Sequence, residues 1–217
     1  MLLLILEIIG TISFAISGAV VAIKAKFDIF GVAFVGVITA MGGGIVRDII
    51  IGRYPPAVFL NFYIFLIAVI TSIIVFIVIY NNKSRFSILE GIIEYINNFF
   101  DAVGLAAFSV MGTEVAFVFE ISDNMFLAVT LGVLTGIGGG IFRDILTDTT
   151  PFVFKKHIYA IASIFGSCLY YLLRINFNNL AIISTVSMVV VIMIRMLATK
   201  FHWSLPKIIL ETENKKA

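Results

Sequence analysis

One pattern occurs twice in this chain: Gly42-Gly43-Gly44-Ile45-Val46-Arg47-Asp48 and Gly138-Gly139-Gly140-Ile141-Phe142-Arg143-Asp144. Each copy lies inside a long apolar stretch, so each puts three helix-weakening residues and two charges at the depth of a bilayer. Glycine inside a helix is less favourable than alanine by about 1 kcal/mol, and a charge at the membrane centre costs about 2.5–3.5 kcal/mol on insertion scales. Composition excludes a soluble fold: 61% of the residues are apolar and 13% charged, against about 45–50% and about 25% in soluble domains. The chain reads as an all-α integral membrane protein. Its net charge of +2 is too small to argue for nucleic acid. One cysteine, Cys168, excludes an intrachain disulfide and a thiolate metal cluster.

A helix needs about 20 apolar residues to cross the hydrocarbon core. Seven stretches qualify, at about 2–23, 29–51, 57–80, 100–119, 125–147, 157–174 and 180–200. Residues 1–22 do not fit a signal peptide, because no Lys or Arg precedes the apolar run and Glu7 interrupts it. The polar linker 81–99 has room for a short interfacial helix, and the tail 206–217 is charged. With seven spans, Lys24, Lys26, Lys83, Arg85, Lys155, Lys156, Lys200, Lys207, Lys215 and Lys216 share one side. Arg53 and Arg174 lie on the other. The excess of positive charge marks the cytoplasmic face, which puts the N-terminus outside and the C-terminus inside.

The repeat extends beyond the glycines. Glu7, Gly10, Phe14, Gly18 and Ala22 align with Asp101, Gly104, Phe108, Gly112 and Ala116. Gly36 and Thr39 align with Gly132 and Thr135, and Pro56, Val58 and Phe59 with Pro151, Val153 and Phe154. Repeat one covers 2–80 and repeat two 100–174, three spans each, with 180–200 as an added helix. An odd number of spans inverts the second unit, so the expected architecture is a 3+3 inverted repeat plus a seventh helix. That plan recurs in membrane transport proteins, with sites near the midplane.

Three successive glycines are expected to kink or open spans 2 and 5, and open backbone at that depth is tolerated only against protein or a water-filled cavity. The other reading is that Gly42–Gly44 and Gly138–Gly140 let helices approach closely. Arg47, Asp48, Arg143 and Asp144 must pair or face a cavity. Neighbours on a helix point about 100° apart, so the inverted symmetry suggests cross pairs, Arg47 with Asp144 and Arg143 with Asp48. The four charges then act as ionic staples or as gate elements. Glu114 lies mid-span and either lines a cation path or bonds a neighbouring hydroxyl or Arg. Glu7 and Asp101, nearer span ends, read as interfacial caps. Thr39 and Thr135 either bond carbonyls one turn back or offer hydroxyls to an ion. His157 and His202 sit at span ends. No Ser/His/Asp set, His/Glu metal spacing or nucleotide signature is present, so nothing points to an enzyme or a cofactor.

The doubled Gly-Gly-Gly-x-x-Arg-Asp, the Gly-x3-Phe-x3-Gly helix before each copy and the seven spans resemble the prokaryotic members of the trimeric intracellular cation (TRIC) channel family, a domain also labelled a putative glycine transporter. The resemblance covers about residues 5–200. It implies a homotrimer in the lipid bilayer of a prokaryotic cell membrane, with a pore in each protomer that passes potassium and also sodium. It implies that the pore is bordered by kinks at the two triplets, and an N-outside orientation. The competing reading is a secondary transporter of a small zwitterion such as glycine.

Overall fold

The structure, a computed structural model, describes residues 2–155 and 158–203. His157, Lys156 and the charged tail, with Lys207, Lys215 and Lys216, lie outside the described residues. The described elements are helical: α1 (Leu2–Lys24), α2 (Ile29–Ile50), α3 (Phe62–Asn81), α4 (Lys83–Ile88), α5 (Glu90–Val118), α6 (Met125–Leu146), α7 (Phe152–Lys155), α8 (Ile158–Asn176) and α9 (Leu180–Lys200), with a 3-10 turn at Ala57–Phe59. Seven of them, α1, α2, α3, α5, α6, α8 and α9, are long and apolar enough to span a membrane.

The helix ends follow from local chemistry and repeat like the motif. After α1 the chain turns through Lys26 at φ 64°, with Phe27 N–H donating to the Ala22 carbonyl at 3.0 Å; this reach back over five residues closes the last turn. Asp28 then caps α2, accepting from Gly31 N–H at 2.8 Å. After α5 the same sequence of events uses Glu120 at φ 57°, Ile121 N–H to the Ala116 carbonyl at 2.9 Å, and Asn124 capping α6 through Leu127 N–H at 3.0 Å. Two boundaries differ from the sequence expectation. The third span begins at Phe62, because Pro55 and Pro56 lack donors and the following residues form the 3-10 turn. The fourth begins at Glu90, ten residues earlier than expected, because the polar run around Glu90 and Glu94 extends the membrane helix instead of interrupting it.

The two halves meet through reciprocal glycine contacts. A methyl group at Gly43 would collide with the Thr135 carbonyl oxygen, and one at Gly139 with the Thr39 carbonyl oxygen. Likewise Gly10 faces the Phe108 ring and Gly104 the Phe14 ring, and these two rings pack with centroids 5.3 Å apart. In both pairs, rising numbers on one helix meet falling numbers on the other. So α2 crosses α6, and α1 crosses α5, in antiparallel fashion, as an inverted repeat requires. Within each half, Gly18 packs on Gly36 and Thr39 while Gly112 packs on Leu131 and Thr135. Helix α5 is the most buried span and α3 the least; large apolar side chains such as Phe30, Phe62 and Phe126 face outward, where lipid replaces water as solvent.

The triplets do not open their helices. Both α2 and α6 are helical from end to end. Close packing, the second of the two readings, is met at both triplets: small residues let membrane helices approach until backbones touch.

Candidate functional site

On one side of the α2–α6 crossing lies Arg47, 2% exposed. Its Nε donates to Asp48 Oδ1 at 2.8 Å and its Nη2 lies 2.8 Å from the same oxygen. Asp48 Oδ2 accepts Ala57 N–H at 2.7 Å, which ties the end of α2 to the 3-10 turn. On the other side, Arg143 repeats this arrangement. Its Nε donates to Asp144 Oδ1 at 2.8 Å, and Asp144 Oδ2 accepts Phe152 N–H at 2.8 Å. The expected cross pairs, Arg47 with Asp144 and Arg143 with Asp48, are therefore replaced by pairs between sequence neighbours. The Cβ directions do diverge, but the arginine side chain is long enough to curl back onto the adjacent carboxylate.

The second cluster is larger. Arg143 Nη1 donates to Asp101 Oδ1 at 2.5 Å and to Ser17 Oγ at 2.7 Å. Asp101 Oδ2 lies 3.8 Å from Arg195 Nη2, on α9. The Arg195 guanidinium stacks 4.6 Å above the Tyr159 ring, and that of Arg143 4.9 Å above Phe152. Asp101 is fully buried and lies inside α5 rather than at its end, so it is an ion-pair partner and not an interfacial cap. The pairs offset only part of the cluster's hydrogen-bonding capacity: Asp101 Oδ2, Arg143 Nη2, Arg195 Nε and Tyr159 OH have no hydrogen-bond partner among the described residues. Buried polar groups left in this way are where internal water resides.

Glu114 bonds its neighbours, one of its two expected roles. Its Oε2 accepts from Tyr170 OH at 2.9 Å and from Arg174 Nε at 3.1 Å. Thr39 and Thr135 both donate to carbonyls one turn back, Val35 and Leu131, at 2.6 Å.

The arrangement has known relatives. The profile of a family described as glycine transporter matches residues 4–80 and again 98–174, one match per repeat. The chain is 36% identical over 207 residues to the UPF0126 inner membrane protein YadS of Escherichia coli, covering 95% of this chain and 96% of that protein. It is 33% identical over 204 residues to the UPF0126 membrane protein YvgT of Bacillus subtilis, covering 93% and 94%. Among solved structures, it matches a prokaryotic TRIC channel with TM-score 0.84 at 33% identity, over 94% of this chain and 99% of that one. The chain belongs to the TRIC family. The Rhodobacter sphaeroides TRIC orthologue also matches, with TM-score 0.82 at 25% identity, over 93% and 99%. It is a multi-pass membrane protein, as its seven apolar helices require.

Within this TRIC fold, the sequence reading missed Arg195, Ser17 and Tyr170. Arg195 was detectable: an arginine inside an apolar span is a candidate functional residue on energetic grounds alone. Ser17 and Tyr170 carry no such signal, because single hydroxyls are common in membrane helices.

Proposed function

We propose that the protein is a passive monovalent cation channel, potassium-permeable with sodium also passing. In this reading the pore runs within each protomer and is bordered by Gly42–Gly44 and Gly138–Gly140, with Thr39 and Thr135 beside them. Arg47, Asp48, Arg143, Asp144 and Glu114 are the charged elements that line or gate it. The observation that carries this reading is the pair of buried charge clusters on opposite sides of the α2–α6 crossing, each holding hydrogen-bonding atoms without protein partners. Such groups at membrane depth are retained where water or ions pass. The tight backbone contact between the triplets, with a methyl group at Gly138 only 3.0 Å from the Gly43 Cα, fits a closed pathway. The solved relatives are cation channels by name, and the Rhodobacter sphaeroides protein is called trimeric; we assign a homotrimer here. The Lys-rich face is cytoplasmic and the N-terminus outside, in the cell membrane of a prokaryote. No Thr-Val-Gly-Tyr-Gly filter is present, so selectivity among monovalent cations is modest.

A second reading, a secondary transporter of a zwitterion such as glycine, is favoured by the description of the matching family. Proteoliposomes separate the two. A channel releases trapped potassium without saturation and takes up no glycine. A transporter shows saturable glycine uptake and negligible potassium release.

A further inference from the structure

The two charge clusters are related by the repeat but are not equally complete. In the second, the acid on the first helix of the repeat, Asp101, is closed onto Arg143. Its aligned counterpart in the first half is Glu7. Glu7 is half-buried and lines the same cavity as Arg47, yet it makes no ion pair or hydrogen bond among the described residues. Asp48, Asp101, Glu114 and Asp144 each have an arginine partner. Glu7 has none.

The cavity in front of Glu7 is mixed, with Met41, Phe108 and Met111 among its walls beside the polar groups. Glu7, Thr11, Gly44, Arg47 and Thr135 line a common cavity of about 10 Å³, room for a single water. Two buried polar atoms on residues that line it have no hydrogen-bond partner among the described residues: Thr11 Oγ1, on a fully buried residue, and Arg47 Nη1. Charge decides what such a place attracts. In the second cluster Arg143 and Arg195 balance Asp101 and Asp144. In the first, Arg47 is already bound to Asp48 at 2.8 Å and Arg53 lies over the Phe119 ring, so Glu7 keeps a carboxylate with no arginine in hydrogen-bond reach, in a partly desolvated place where charges act more strongly than in water.

We infer that Glu7 is a cation-attracting, conductance-setting residue of the pathway, a carboxylate left free because Arg47 closes onto Asp48 alone, where Arg143 closes onto both Asp144 and Asp101. Closure of Arg47 onto Glu7, as Arg143 closes onto Asp101, would discharge the site. This inference rests on the channel reading above. A single charge about 7 Å from a passing ion in water alters local cation concentration about threefold. That effect is felt at about 0.01 M salt, where the Debye length is about 30 Å, and vanishes at about 1 M, where it is about 3 Å.

The test is single-channel conductance of the purified full chain in planar bilayers at those two potassium chloride concentrations. Glu7→Gln is expected to conduct about threefold less than wild type at low salt and equally at high salt, and Glu7→Asp to retain the low-salt conductance. Glu7→Cys guards against a folding defect, because charge is restored after assembly: a negatively charged thiosulfonate raises low-salt conductance and a positively charged one lowers it, with wild type, which carries Cys168, as the control. Wild-type conductance in Glu7→Gln at low salt, or indifference of Glu7→Cys to the sign of the reagent, overturns the role of Glu7 while leaving the channel intact. Absence of unitary currents from wild type overturns the channel reading and this inference with it.

Discussion

Gly43 and Gly44 are neighbours with opposite expectations. A Cβ at Gly43 would fall on the carbonyl oxygen of Thr135, a backbone atom that cannot rotate away. A Cβ at Gly44 would meet nothing closer than 3.8 Å. Overpacking costs about 1–3 kcal/mol, and a rigid carbonyl places Gly43→Ala at the upper end, about 3 kcal/mol. The better helix propensity of alanine returns at most about 1 kcal/mol, which leaves a net loss of about 2 kcal/mol. Gly44→Ala receives the propensity gain without the collision and is stabilised by up to about 1 kcal/mol. For a chain of this length, about 3 kcal/mol between the two variants corresponds to about 6–12 °C in Tm, measurable by thermal melting in detergent. Gly139→Ala should behave like Gly43→Ala, since it collides with the Thr39 carbonyl at the same crossing. The double variant should lose less than the sum, because the two sites share one displaced interface. Equal destabilisation by Gly43→Ala and Gly44→Ala would refute the reasoning, since it would mean that the triplet serves helix flexibility and not clearance.

Three further outcomes follow from the same geometry. Asp101→Asn leaves Arg143 and Arg195 buried without their shared carboxylate and is expected to destabilise by about 3–5 kcal/mol, whereas Glu114→Gln keeps an acceptor for Tyr170 and faces a partly exposed Arg174, with a loss of about 1 kcal/mol; comparative melting of the two variants checks the order. Gly36→Ala drives a methyl group into Ser72 Oγ and lowers Tm, and Ser72→Gly in the same chain restores it. Arg143→Lys retains the charge but cannot serve Asp144, Asp101 and Ser17 together from one fork, so its melting temperature should fall although charge is conserved.

Span number was legible because it rests on hydropathy, and the doubled motif because it rests on glycine and charge at fixed positions. The ion-pair partners were not. Whether Arg47 reaches Asp48 or a residue across the interface depends on a rotamer, and sequence spacing fixes only the Cβ direction. Asp101 was misread as a cap because the polar run before it resembled a loop, yet those residues continue the helix and carry Asp101 into the interior. Arg195 escaped the repeat logic altogether, since α9 has no counterpart in the first half. That same lack of a counterpart gives the second cluster an added arginine, Arg195 beside Asp101. Continuity of α2 and α6 through the glycines was also invisible locally: whether such a triplet opens or packs is decided by the neighbouring helix.

The central claim, that monovalent cations pass through this protein, is tested most directly by the reversal potential of unitary currents from the purified chain in a planar bilayer under a tenfold potassium chloride gradient. A cation channel reverses close to the potassium equilibrium potential, about 59 mV in magnitude for a monovalent ion. Reversal at zero or toward the chloride potential, or a bilayer that stays silent while liposomes accumulate glycine, would contradict it.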